Sequence, residues 1–465
     1  MIRPDVDPSA PEDEQPVIGL IGMGEMGKMY ARLLDKAGWK KIHVCDLPSR
    51  FEELKEAYKD VTSVVVHRDG HGVSRVSDFI VYSVEAEFIG NVVKEYGPST
   101  KVGAIVAGQT SVKAPEKIAF EKYLPDDVHI VSVHSLHGPT VSAIGQPLVL
   151  IQHRAPNSAL NLVESILRPF KSRYVYLSYE EHDLVTANTQ AVTHAAFLSM
   201  GTAWQCSSGY PWERGIYVGG IETVKVNIML RIYANKWHVY AGLAILNPSA
   251  KVMIDQYAKS VTELFKLMLL GEGDELRRRV KEAGERVFGS RSGGKRKPIL
   301  LEEGILDRFS LRPTTNGNGN GSTTNGTSKP PANSHLALLA MVDCWSALSI
   351  NPYAHLLIAA TPLFRLWIGV AEYLFSSPSS SPSSPSALDA SLDASLSNNS
   401  FRSDDLEFVV AARGWSQCVS FGNFELYRER FEGTKKFFEG RFGEADKLGS
   451  EMIKYIMENS KEADA

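Results

Sequence analysis

From Val17 to about Leu177, short apolar runs alternate with amphipathic stretches. VIGLI, IHVC, TSVVV, DFIVYSV, KVGAIVA and VHIVSV read as six strands, and between the first two Met26, Met29, Tyr30, Leu33, Leu34 and Ala37 recur at helical spacing. Strands that are apolar almost throughout need cover on both faces, which a parallel sheet between helices supplies. The pattern therefore predicts an α/β fold, a doubly wound Rossmann-type sheet. After Tyr179 the texture changes. Residues 181–206 and 222–270 carry helical periodicity without β-rich punctuation, so a mainly helical domain should follow.

Two tracts interrupt this pattern. TTNGNGNGSTTNGTSKPPANS has almost no side chain able to join a core, and 376–400 is dominated by serine. Neither offers apolar burial to offset the entropy of ordering. The expected organisation is a disordered tail (1–16), a dinucleotide-binding domain (17–178), a helical substrate and dimerisation domain (179–312), a low-complexity linker (313–334), and a C-terminal helical extension (335–465) with a disordered loop at 376–400.

Composition narrows the class. With 43% hydrophobic and 22% charged residues in 465, the chain is of ordinary globular type. Fifty basic against 54 acidic side chains give a net charge of −4, which provides no global field for nucleic acid or an anionic membrane. Cys45, Cys206, Cys344 and Cys418 are scattered, without disulfide or zinc spacing, which fits a reducing, cytoplasmic setting. The longest apolar stretch, His355 to Phe375, contains Pro362, Arg365 and Glu372 and reads as a buried helix rather than a bilayer span.

VIGLIGMGEMG places Gly22, Gly24 and Gly27 in G-x-G-x-x-G between a strand and a helix. Gly22 would make the tight turn, Gly24 would admit a pyrophosphate to the backbone, and Gly27 would let the helix pack on the strand. The helix N-terminus would hold the phosphates. Asp46, at the end of the second strand, would accept a ribose 2′-hydroxyl and favours NAD, whereas Arg50 would receive the 2′-phosphate of NADP; the local chemistry leaves both open. Ser83 and Val84 follow the fourth strand, at the edge where ligands lie in such sheets.

The sixth strand runs into VSVHSLHGP. His134 and His137 lack further ligands at metal spacing, so no metal is expected. At a strand's carboxyl end beside the nicotinamide half, His134 suits a general base that takes a hydroxyl proton while hydride leaves. Ser111, in VAGQTSVK after the fifth strand, would orient that imidazole, touch substrate or cap the next helix.

Taken together, GLIGMGEMG, VYSVEA, VHSLHGP, EEHDLVTANTQAVTHAAFLSMG, NKWHVYAGLAILNPSA and ATPLFRLWIGVAEYLF resemble the TyrA family, and within it the fungal prephenate dehydrogenases. The resemblance runs from about Val17 to near the C-terminus, leaving out the acidic tail and the low-complexity tracts. It implies oxidative decarboxylation of prephenate in tyrosine biosynthesis, with NADP as the fungal cofactor. It makes His134 the catalytic histidine and Ser111 its support, with Ser135 standing where bacterial members usually have proline. His194 corresponds to a histidine near the substrate, and Gln190 shares its helical face. His182 and Asp183 read as structural residues at the start of that helix.

One departure concerns the substrate carboxylate. The arginine that bacterial members use would fall at Gly242, counted back from Asn247 and Pro248. On an unbroken helix His238, Asn235 and Arg231 share the face of Gly242, so Arg231 is the expected replacement with His238 as helper; the other reading of Arg231 is an interhelical or subunit ion pair. A homodimer through the helical domain is also expected. Arogenate is the closest alternative substrate. A β-hydroxyacid dehydrogenase is disfavoured because TQAVTHAAF carries no lysine, and a non-catalytic nicotinamide sensor because His134 and Ser111 are present.

Overall fold

The computed structural model describes residues 2–139, 141–206, 209–289, 299–300, 303–311, 332–358, 361–376 and 385–460. The linker at 313–334 lies almost wholly outside them. The chain forms two units, Met1–Thr186 with Leu246–Pro248, and Ala187–Ile245 with Ser249–Ala465.

In the first unit the six predicted strands all form: β1 (Ile18–Ile21), β2 (Ile42–Cys45), β3 (Val64–Val66), β4 (Phe79–Tyr82), β5 (Ile105–Gly108) and β6 (His129–Ser135). Two more follow, β7 (Pro147–Arg154) and β8 (Arg173–Tyr176), and the eight lie in the order β3-β2-β1-β4-β5-β6-β7-β8. All neighbours are parallel except β6 and β7. The chain builds outward from β1 to β3 and then returns to β1's other side with β4, so the carboxyl ends of β1 and β4 flank the crevice where such sheets bind ligands. β1, β4 and β5 are buried along their whole length, as their unbroken apolar runs require.

The acidic tail, expected to be disordered, is ordered. Val6 is fully buried in the core around β1 and the 157–167 helix, Ser165 donates to the Pro4 carbonyl, and Gln15 donates to the carbonyls of Pro8 and Ala10. One apolar side chain and a few hydrogen bonds anchor a segment whose composition alone reads as solvated.

In the second unit, the Val192–Gln205, Gly220–Ala234 and Trp237–Ile245 helices pack respectively against Arg402–Ser420, Phe442–Ser460 and Phe424–Phe438. Thirteen of the fifteen residues of Gly220–Ala234 are buried, so this helix needs cover on every side, and the C-terminal helices supply it. The region from 335 onward is thus part of the second unit's core rather than an appendage. Within the supposed loop 376–400, Ala387–Ser397 is a helix capped by Ser386 and buried through Leu388, Ser391 and Leu392. No helix among the described residues is long and apolar enough to cross a membrane.

Candidate active site

At the crevice, Gly22 has φ +101°, and a Cβ there would lie 2.3 Å from the Ser83 carbonyl oxygen, so only glycine lets β1 turn against the end of β4. A Cβ on Gly27 would stand 2.1 Å from the Gly22 carbonyl oxygen. A Cβ on Gly24, which precedes the Glu25–Ala37 helix, would meet nothing within 4 Å. Two glycines therefore serve packing, while the third faces open space at a helix N-terminus, as a pyrophosphate requires. Asp46 holds the loop: its Oδ2 accepts from the Met23 amide at 3.0 Å and from Arg50 Nη1 at 2.9 Å. Arg50 also reaches Glu53. Ser83 donates to Gln109 Oε1 at 2.8 Å, which ties the ends of β4 and β5 together, with Val84 next in the chain. These residues fit a dinucleotide, with a guanidinium beside the acid that would meet the ribose.

His134 lies in β6 and is almost fully buried. Its Nδ1 is 2.7 Å from Nε2 of His182, whose Nδ1 is 2.9 Å from Asp183 Oδ1. The Asp183 carboxylate accepts the backbone amides of Lys113 (2.7 Å) and Ala114 (2.8 Å) at the start of the Ala114–Tyr123 helix. Asn247 closes the arrangement by donating to the Asp183 carbonyl at 2.8 Å and the Thr186 hydroxyl at 3.3 Å. Beneath the pair, Lys113 Nζ is buried among both Glu116 carboxylate oxygens, the Gly108 and Val133 carbonyls and the Ser132 hydroxyl, all within 3.1 Å.

Burial, followed by the nearby His182, Lys113 and His137, holds the His134 imidazole well below its usual pKa; burial and then Lys113 do the same to His182. Both rings are neutral at physiological pH. Burial lifts Asp183 to about 6, against the pull of its two backbone donors, so it is ionised at neutral pH.

Ser111 is half-buried in the loop before this helix and forms no hydrogen bond with His134, whose Nδ1 is occupied by His182. Sequence reasoning missed His182 as that partner. The signal was the His-Asp pair in EEHDLV, but nothing local says that it meets a strand 48 residues earlier. Ser135, in the place of the bacterial proline, uses its hydroxyl to bond the buried Tyr30 phenol at 2.9 Å. His137 turns to the Gly138 carbonyl.

The remaining predicted residues lie in the second unit. Gln190 sits in a π-helical turn, Ala187–Ala191, just ahead of the helix that carries His194. His194 is packed edge-on against Tyr240, with its buried Nδ1 lacking a hydrogen bond, and burial drives its pKa to about 3. The shared face proposed for Arg231, Asn235, His238 and Gly242 does not exist as one helix. Asn235 is extended (φ −81°, ψ −173°) and its side-chain amide donates to the Arg231 carbonyl and the Tyr240 hydroxyl, so one helix ends at Ala234 and the next begins at Trp237. Arg231 lies 3.3 Å from the Ser450 hydroxyl and 4.0 Å from Asp446. His238 is half-exposed beside Trp237.

A glycine loop at a doubly wound sheet's switch point, with a neutral buried histidine on a strand of the same sheet, defines a dinucleotide-dependent oxidoreductase with an imidazole base. Comparison with known proteins agrees. Residues 191–458 match a family described as 6-phosphogluconate dehydrogenase C-terminal domain. The chain is 52% identical over 453 residues to the prephenate dehydrogenase [NADP(+)] of Saccharomyces cerevisiae, covering 97% of this chain and 96% of that one. It is 50% identical over 442 residues to a probable prephenate dehydrogenase [NADP(+)] of Schizosaccharomyces pombe, covering 95% and 98% respectively. A crystal structure of prephenate dehydrogenase from A. aeolicus with hydroxyphenyl propionate and NAD+ matches at 21% identity and a TM-score of 0.46, over 57% of this chain and 94% of that one. The chain belongs to the NADP-dependent prephenate dehydrogenase family.

The glycine geometry separates packing from binding. Gly27→Ala should lower stability by roughly 1–3 kcal/mol, as overpacking does. Gly24→Ala should leave the melting temperature nearly unchanged while weakening dinucleotide binding about tenfold or more. Thermal melts and cofactor titrations of both variants check this contrast.

Proposed function

We propose that this chain oxidatively decarboxylates prephenate to 4-hydroxyphenylpyruvate and CO2, with NADP as oxidant. The observation that carries this reading is the bare-nitrogen geometry of His134: its Nδ1 is held by His182, which leaves Nε2 for the substrate. Bound at Gly22, Gly24 and Gly27, with Ser83 and Val84 at the rim and Arg50 for the 2′-phosphate, NADP supplies the hydride acceptor. His134 Nε2 takes the ring hydroxyl's proton as the carbon that bears it gives up hydride. The electron pair of the ring–carboxylate bond then enters the ring, CO2 departs, and the proton returns from His134 to the oxygen of the new phenol. Aromatisation drives the step, so the protein need only orient the ring, manage one proton and hold the carboxylates. Ser111, half-buried and without a bond to His134, is placed in this reading on the substrate side.

In the second unit His194 is proposed as a neutral substrate-site donor or acceptor with Gln190 beside it, supported by its unpartnered buried nitrogen. Arg231, with His238 as helper, is proposed to hold a carboxylate. Its guanidinium is about one-third exposed and holds only a long pair with an exposed aspartate, which a dianionic substrate can displace. We also propose a homodimer, supported by Val252, Leu269, Leu270 and Phe421, which stay exposed after the C-terminal helices have covered the Gly220–Ala234 helix. A cytoplasmic location is supported by four unpaired cysteines.

The test of the activity is NADPH formation from prephenate, with arogenate and NAD as controls. His134→Asn should cut turnover by roughly 10²–10⁴-fold with little change in the KM for prephenate; wild-type turnover would remove His134 from the mechanism. Because its folded pKa is depressed, His134 stays a base as pH falls, and the acid limb of kcat/KM should lie below the 6.5 of a free imidazole. Arg50→Ala should raise the KM for NADP by roughly ten- to a hundredfold and leave that for NAD nearly unchanged; equal effects on both would reject the 2′-phosphate contact. Arg231→Ala should raise the KM for prephenate about tenfold or more at unchanged melting temperature, and an unchanged KM would leave Arg231 as an interhelical contact only.

A further inference from the structure

We infer that His182 is a positioning residue for the reaction, and that with Asp183 it sets the protonation of His134 through two hydrogen-bonded rings. This rests on the reading of His134 as the base. The direction of each bond follows from Asp183. Both of its oxygens accept backbone amides, Oδ1 from Lys113 and Oδ2 from Ala114, and an ionised carboxylate has no proton to give. His182 Nδ1, 2.9 Å from Oδ1, must therefore donate. A neutral imidazole carries one N–H, so His182 Nε2 is a lone pair and can only accept. His134 Nδ1, 2.7 Å away, is then the donor, and the single proton of that ring is spent there. The chain of donors that starts at a fixed carboxylate ends with an unprotonated Nε2 on His134, the form in which a base can act.

The same geometry accommodates the charge that catalysis creates. When His134 Nε2 takes the substrate proton, its Nδ1 proton can pass to His182 Nε2 across the short contact. That moves the positive charge one ring nearer the carboxylate, and the reverse transfer returns it when the phenol oxygen is reprotonated. The other groups facing the pair are Lys113 and His137 toward His134, and Lys113 toward His182. Lys113 is committed to Glu116, so Asp183 is the anion that faces His182 directly. A protein that needed only to fill this space would not require two imidazoles and an acid in series.

Histidine-selective ¹⁵N NMR of the wild-type enzyme, with the His134 signal identified by its loss in His134→Asn, reads the tautomer without altering the relay. Protonated Nδ1 on His134 is expected; protonated Nε2 overturns the inference. His182→Phe keeps the ring volume and deletes both bonds. It should lower kcat by roughly 10–10³-fold while the KM for prephenate and for NADP stays within about threefold, and His134 should lose its single tautomer. Polar replacement in His182→Gln, which can accept from His134 but reaches Asp183 poorly, should recover part of that loss. A folded His182→Phe with wild-type kcat overturns the relay while His134→Asn remains inactive, whereas full activity in both variants overturns the reading of the base itself.

Discussion

The arrangement depends on one buried ammonium. Lys113 Nζ is enclosed by Glu116, the carbonyls of Gly108 and Val133, and Ser132, so a single cation pins the end of β5, the middle of β6 and the helix that starts at Ala114. Burial alone would expel the charge, and pulls the lysine pKa down; the Glu116 carboxylate opposes that pull. The fit leaves no slack. A Cβ on Gly108 would lie 2.0 Å from Glu116 Oε2, so even the strand residue above the pair must lack a side chain. Losing one partner of such a pair typically costs about 3–5 kcal/mol, because the other charge is left buried alone.

From that anchor the catalytic geometry follows by short steps. Fixing Lys113 fixes its own amide and that of Ala114, and these two donors orient Asp183. Asp183 orients His182, and His182 orients His134. Asn247 holds the same helix from its carbonyl side, which gives the Asn-Pro dipeptide a physical role. The dipeptide lies in a three-residue stretch that belongs with the sheet although both its neighbours in sequence belong to the helical unit. Each link is a hydrogen bond between buried groups, where a missing partner costs more than a formed bond contributes.

The nucleotide end works differently. There the backbone shapes the site, through one positive φ and one open glycine, and the side chains set selectivity. Asp46 is occupied by the Met23 amide and by Arg50, so its charge is largely spoken for before any ribose arrives. The pairing of acid with guanidinium resolves what the sequence left open between NAD and NADP in the direction of the family.

Local pattern determined the six core strands, the glycine turn and the position of His134, because each rests on periodicity or on a residue type that backbone geometry demands. It also placed the change from sheet to helix within a few residues of the boundary at Thr186. It missed β7 and β8, the anchoring of the tail by Val6, the 387–397 helix and the break at Asn235. In each of these, tertiary contact outweighs composition: a serine-rich segment is helical because neighbours bury its apolar side, and a helix stops where an asparagine amide finds the Tyr240 hydroxyl. The partner of His134 was also decided only in three dimensions. A ring's protonation depends on what its other nitrogen meets, and here that is a side chain brought from another element by the fold.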